Sequence, residues 1–240
     1  MAFERRFLRE LPFGICVGVA LPEGVAFELP RALHAGEAAF ARTLPEARRA
    51  GWVGGRIALR EALAAAGAEA TGPILSSARG APLLPPGAVG SVSHKRAIAV
   101  ALASRAPTPR ATLGIDVEEL RPLRTDVSRR VLTPDERAAL PPDGPARDAA
   151  VLFAFSAKEA IYKALDPWVQ RFVSFEEATV ARAPEGALTA RLTLAGGEGP
   201  FSVELHDAGG GDLVGGAGLA GGGGPDRLIL TAARVTRAGR

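Results

Sequence analysis

Two long stretches of helical periodicity, residues 46–66 and 147–165, constrain this 240-residue chain more than any other feature. Each lies among short apolar runs of strand length, but strand and helix do not alternate steadily along the chain. A doubly wound parallel sheet requires that alternation. The pattern instead reads as an α+β fold with a pseudo-twofold arrangement of two similar halves. Each half is a small, mostly antiparallel sheet packed on a long helix. The halves are drawn at residues 1–112 and 113–240, and the repetition is architectural, with no sequence repeat.

In the first half, residues 1–30 read as a strand or hairpin punctuated by Pro12, Pro22 and Pro30. Arg5, Arg6 and Arg9 ahead of an apolar run resemble the start of a signal peptide. Glu4 and Glu10 are misplaced for one, and Pro12 and Gly14 interrupt the run, so residues 14–20 read as a buried strand. The helical pattern from residue 34 breaks at Leu44-Pro45. Residues 71–90 are a proline-rich loop, 90–103 are strand-like, and 106–112 form a linker.

In the second half, 113–118 is a short strand, 126–140 is helical and 141–145 is a turn. The long helix ends before Pro167. Strands follow at 178–182, 188–194, 201–206 and 228–235. The glycine-rich residues 208–224 read as a flexible hairpin loop.

The charge balance, 29 basic against 26 acidic residues with no run of one sign, lacks the basic face of a nucleic-acid binder. No segment is long and apolar enough to span a bilayer. Cys16 is the one cysteine, which excludes an internal disulfide and a thiolate cluster. A soluble cytoplasmic protein is expected.

Four elements carry chemistry. Leu113-Gly-Ile-Asp-Val-Glu118, as a strand, puts Asp116 and Glu118 on one face and Ile115 and Val117 on the other. Neighbouring carboxylates repel unless a cation lies between them, and Mg²⁺ suits carboxylate oxygen and leaves positions for substrate phosphate. The same pair would also sit on a solvated edge. Phe155-Ser-Ala-Lys-Glu-Ala-Ile-Tyr-Lys163 aligns Phe155, Glu159 and Lys163 along one helix face. The apolar residues before it imply burial, and buried charge needs a partner. Gly90-Ser-Val-Ser-His94 ends a strand in an imidazole followed by Lys95 and Arg96, a set of donors for phosphate. Arg49, Arg56 and Arg60 recur at helical spacing, which by itself describes a solvated helix face.

In this order the four elements resemble the 4′-phosphopantetheinyl transferase superfamily, in its surfactin- and enterobactin-type branch. Its patterns G-I-D-[VI]-E and [FW]-S-x-K-E-[AS]-x-x-K stand here as Gly114–Glu118 and Phe155–Lys163. Its Ser-His pair stands as Ser93-His94 after a proline-containing loop. The resemblance covers roughly residues 45–180. It implies a Mg²⁺ enzyme acting on coenzyme A and an apo acyl or peptidyl carrier protein, as a monomer, with its active site at the interface of the halves. It assigns Asp116, Glu118 and Glu159 to the metal, Ser93 and His94 to the 3′-phosphate, and Arg49 and Arg56 to coenzyme A phosphates. Lys163 is assigned to the pyrophosphate, and Glu159, Lys163 and Asp116 to catalysis. The chain departs from the pattern at Gly80-Ala81-Pro82, where a lysine often precedes the proline and Arg79 is the nearest cation. The 94–116 segment is longer than expected, and the glycine-rich segment resembles an insertion. The alternatives are a coenzyme A-retaining binding protein and a metal-dependent phosphoesterase with water as nucleophile.

Overall fold

The computed structural model describes residues 3–24, 26–106, 108, 110–183, 186–209 and 228–239. The chain divides into two units, Met1–Pro109 and Arg110–Arg240. Every sheet in both is antiparallel, and each unit packs its sheet on helix, which is the α+β class.

In the N-terminal unit, β1 (Arg5–Leu11), β2 (Gly14–Ala20), β3 (Ala88–Lys95) and β4 (Ile98–Arg105) form one sheet in the order β1-β2-β4-β3. The central strands β2 and β4 are nearly continuous apolar runs and are buried, while the charged β1 lies at an edge. The stretch read as strand-like over 90–103 is a hairpin, β3 turning into β4 at Arg96-Ala97. That turn has none of the Gly, Pro, Asn or Asp that mark tight turns in a sequence. Helix α1 (Ala35–Thr43) starts at a His34–Glu37 capping box, and α2 (Glu46–Ala65) follows the Leu44-Pro45 break. Val53, Ile57, Leu59, Ala62 and Leu63 of α2 pack with Val17, Val19, Ala101 and Ala103 of the sheet.

In the C-terminal unit, β5 (Ala111–Glu119), β9 (Leu228–Arg237) and β8 (Phe201–Asp207) form one sheet in the order β5-β9-β8. The strands β6 (Ala178–Arg182) and β7 (Leu188–Leu192) form a second. The single helix expected over 126–140 is two short ones, α3 (Ser128–Val131) and α4 (Pro134–Ala138). Pro134 has no N–H to give the preceding turn, so Thr133 extends and caps a new helix with Glu136 at its third position. Helix α5 (Pro145–Val169) continues past Pro167 instead of stopping at Leu165. A proline in the last turn forfeits only one helix bond, and Trp168 Nε1 pins that turn to Thr112 Oγ1 at 3.0 Å. Of the expected hairpin loop over 208–224, residues 210–224 lie outside the described residues.

Candidate active site

In the C-terminal unit the candidate side chains lie where β5 meets α5. Three successive even-numbered positions of β5 face the helix. Thr112 Oγ1 donates to the carbonyl of Ala164 at 2.6 Å, and Gly114 lies against the Ala160 backbone. Asp116 Oδ1 accepts from Lys163 Nζ at 2.7 Å. Strand alternation puts Glu118 on this face as well. A Cβ on Gly114 would overlap the carbonyl oxygen of Ala160 and stand 3.0 Å from the amide nitrogen of Ala164. With Ala157, Ala160 and Ala164 on the helix all fully buried, the two backbones approach as closely as their atoms permit. This closeness lets Lys163 Nζ donate to the Ile115 carbonyl at 3.0 Å while it also holds Asp116.

Asp116 and Glu118 are 4% and 7% exposed, so this is a buried acidic face and not a solvated edge. Glu159 is half-buried one turn before Lys163. Among the described residues, no three His, Cys, Asp or Glu gather as a group that could hold a metal ion, so Asp116, Glu118 and Glu159 do not converge here as the sequence leads one to expect. Two adjacent buried carboxylates nevertheless fit magnesium, which takes one or two protein carboxylates and completes its octahedron with water and phosphate. Lys163 supplies the positive charge next to Asp116.

In the N-terminal unit, β3 presents Ser91 and Ser93 buried on one face and His94 exposed on the other. The arginines of α2 are engaged by the fold. Arg49 donates from Nε to the Ala41 carbonyl at 3.1 Å and from Nη2 to that of Leu44 at 3.2 Å. Arg56, only 1% exposed, donates to the Ile74 carbonyl at 2.7 Å and Ser76 Oγ at 2.8 Å, and stacks 4.5 Å over the Trp52 ring. Burial draws its guanidinium down to about 10 against the opposing charge of Glu37. Arg60 forms a fork with the buried Glu37, which also accepts the Ile74 amide at 2.8 Å. The solvated face expected for Arg49, Arg56 and Arg60 is therefore largely a clamp on α1 and on the loop entering the Ser-His hairpin.

A family model described as the 4′-phosphopantetheinyl transferase superfamily matches residues 112–217, and one for the N-terminal domain of these transferases matches 36–104. The chain is 36% identical over 194 residues to 4′-phosphopantetheinyl transferase Npt of Nocardia iowensis, covering 77% of this chain and 82% of that protein. The chain belongs to the 4′-phosphopantetheinyl transferase superfamily. It is also 38% identical over 144 residues to 4′-phosphopantetheinyl transferase Svp of Streptomyces mobaraensis, covering 59% of this chain and 58% of Svp. To enterobactin synthase component D of Salmonella typhi it is 34% identical over 125 residues, 51% of this chain and 50% of that protein.

The superfamily's helix pattern includes residues that sequence reasoning left without a role. Lys158 is fully buried, and its ammonium donates to the carbonyls of Val131 and Phe175, both at 2.8 Å, and to Glu136 Oε2 at 2.7 Å. Burial lowers its pKa, and the hydrogen bond it donates to Glu136 opposes that shift. Glu136 in turn accepts the amides of Thr133 and Val180 at 2.7 and 2.6 Å. This lysine ties α3, α4 and the turn before β6 to the helix position next to Glu159. Ser156, also fully buried, hydrogen-bonds Thr231 of β9 at 2.8 Å. The one available signal was a lysine at an apolar helix position. No sequence rule identifies its three acceptors, which come from distant segments.

Proposed function

We propose that the chain transfers the 4′-phosphopantetheine arm of coenzyme A to a serine of an apo acyl or peptidyl carrier protein, in the cytoplasm. The observation that carries this reading is the ion pair of the buried Asp116 with Lys163, at the β5–α5 contact of a superfamily member, with Glu118 buried two residues on along β5.

The serine Oγ attacks the β-phosphorus of coenzyme A. The bond from that phosphorus to the bridging oxygen breaks, and adenosine 3′,5′-bisphosphate leaves. Such a transfer asks the protein for positioning and charge more than for covalent chemistry. Glu159 takes the serine proton as general base. Lys163, held at the Ile115 carbonyl, offsets charge on the diphosphate. Asp116 and Glu118 are the residues to hold magnesium, with Glu159 as the third carboxylate the resemblance assigns. When bound, the ion polarises the phosphoryl oxygens. His94 binds the 3′-phosphate through its exposed imidazole, with Ser93 before it as the resemblance assigns, and Arg49 of α2 stands two residues before Gly51, against which the His94 ring lies. Arg56 acts indirectly, through the 74–76 loop that it holds.

The test incubates the protein with coenzyme A, Mg²⁺ and several apo carriers, and reads intact carrier mass. Wild type should add one phosphopantetheine, and Asp116→Ala should add none while keeping its circular dichroism. Lys163 is partly exposed, so its ammonium stays solvated in that variant. Normal turnover by Asp116→Ala would remove Asp116 from the mechanism. Bisphosphate release without any carrier would mark a hydrolase instead.

A further inference from the structure

Helix α2 contains Gly51, Gly54 and Gly55 within its buried face. Each interior glycine costs a helix about 1 kcal/mol relative to alanine, so each invites a reason. Gly54 has one in the core, where a Cβ would run into Leu21 and stand 3.1 Å from Ala99. Gly55 meets only Val92, at 3.7 Å, an ordinary contact. Gly51 differs from both. The three atoms nearest its missing Cβ all belong to the His94 ring, with Nδ1 at 2.5 Å, Cε1 at 2.6 Å and Cγ at 2.8 Å. The imidazole lies where a side chain of α2 would project.

His94 is the next-to-last residue of β3 and is exposed, whereas Ala99 is fully buried. The three atoms that an alanine at position 51 would meet first all belong to a rotatable side chain. The cost would fall on the position of the ring, while the helix would gain its propensity. The contact also joins two cationic stretches within this unit, Arg48-Arg49 early in α2 and Lys95-Arg96 after His94.

We infer that Gly51 is a positioning residue, whose absent side chain is the seat holding the His94 imidazole on α2 in the orientation that receives the 3′-phosphate of coenzyme A. This rests on the proposed transferase reading for the identity of the ligand. The seat itself rests on the Gly51–His94 geometry.

The experiment compares wild type, Gly51→Ala, His94→Ala and the double variant, using coenzyme A and 3′-dephospho-coenzyme A with one apo carrier. The preference for coenzyme A in kcat/KM should fall about tenfold in Gly51→Ala, about 1.4 kcal/mol, through KM and not kcat. Adding Gly51→Ala to His94→Ala should lower it no further. The melting temperature of Gly51→Ala should equal or exceed that of wild type. The chain has three histidines, so the imidazole NMR signals of His94 can be followed beside those of His34 and His206. Only the His94 signals should move. An unchanged preference, additive variants, or a lowered melting temperature with equal loss on both cofactors would each overturn the inference. If wild type transfers nothing, the transferase reading fails, and the NMR arm alone decides the seat: a selective His94 shift upholds it and no shift overturns it.

Discussion

Gly51 and Gly114 make the same kind of contact in the two units, and what each one meets is different. At each, a Cβ would run into the element packed opposite, next to strand residues carrying the candidate chemistry. At Gly51 the space is filled by an exposed imidazole, whereas at Gly114 it is filled by the helix backbone at Ala160. In the N-terminal unit, then, the reactive group stands at the surface and the arginines beneath it hold the fold. In the C-terminal unit the reactive carboxylates lie inside the contact that holds the unit together. Chemistry and stability are separable in the first unit and joined in the second.

The largest effect that tests this contrast comes from Gly114→Ala. Its Cβ would overlap a carbonyl oxygen that cannot rotate away, so β5 and α5 must part. The expected loss is about 4 kcal/mol, a size that belongs to overpacking against something immovable. Urea denaturation of this variant and Gly51→Ala side by side measures it. Equal effects at the two glycines would break the comparison.

Next in size is Lys158→Met. Removing the buried ammonium leaves Glu136 with its charge uncompensated, and the loss should be about 3 kcal/mol. Adding Glu136→Gln should restore part of that stability, because a neutral amide is cheaper to leave there. The double variant sharpens the contrast by showing that this charge pair holds structure next to Glu159. If the double variant were no more stable than the single one, the charge would not be the cause.

Much of both units was legible in sequence because it followed from local chemistry. The Leu44-Pro45 break, the buried β2 run and the period-two face of β5 all follow from neighbouring residues. The pairing of Asp116 with Lys163 does not, since the sequence sets Asp116 against a metal cation and Lys163 against phosphate, and the two meet only where β5 packs on α5. What was not legible depends on partners far away along the chain. Arg56 looks like any helix-face arginine until Ile74 and Ser76 come to it, and the Lys158 acceptors span residues 131 to 175. The β3–β4 turn was missed because Arg96-Ala97 carries no turn chemistry. The two short helices were missed because Pro134 starts α4 in a stretch whose periodicity runs straight through it.

The smallest expected effect concerns acid, and it asks whether charge also holds the C-terminal unit away from the catalytic face. Arg171 forks onto Glu177, at 2.6 Å to Oε2, and onto Glu198 at 2.7 Å, while Glu177 accepts the Ser174 and Ala195 amides at 2.8 and 2.7 Å. The Arg171 hydrogen bond, helped by those amides, holds the Glu177 carboxyl down to about 2. A carboxyl depressed in the folded state stabilises it fully above the ordinary glutamate value. That contribution is lost as pH falls from the ordinary value toward the folded one. Unfolding free energy should therefore decline between pH about 4.5 and about 2 in wild type. Glu177→Gln should be less stable at neutral pH by about 1 kcal/mol, because the partly exposed arginine weakens the pair, and should show a flatter acid limb. Denaturant titrations at a series of pH values separate the two curves. Parallel curves would mean that the clamp holds by its hydrogen bonds alone, and that charge bears the fold of this unit only around Lys158.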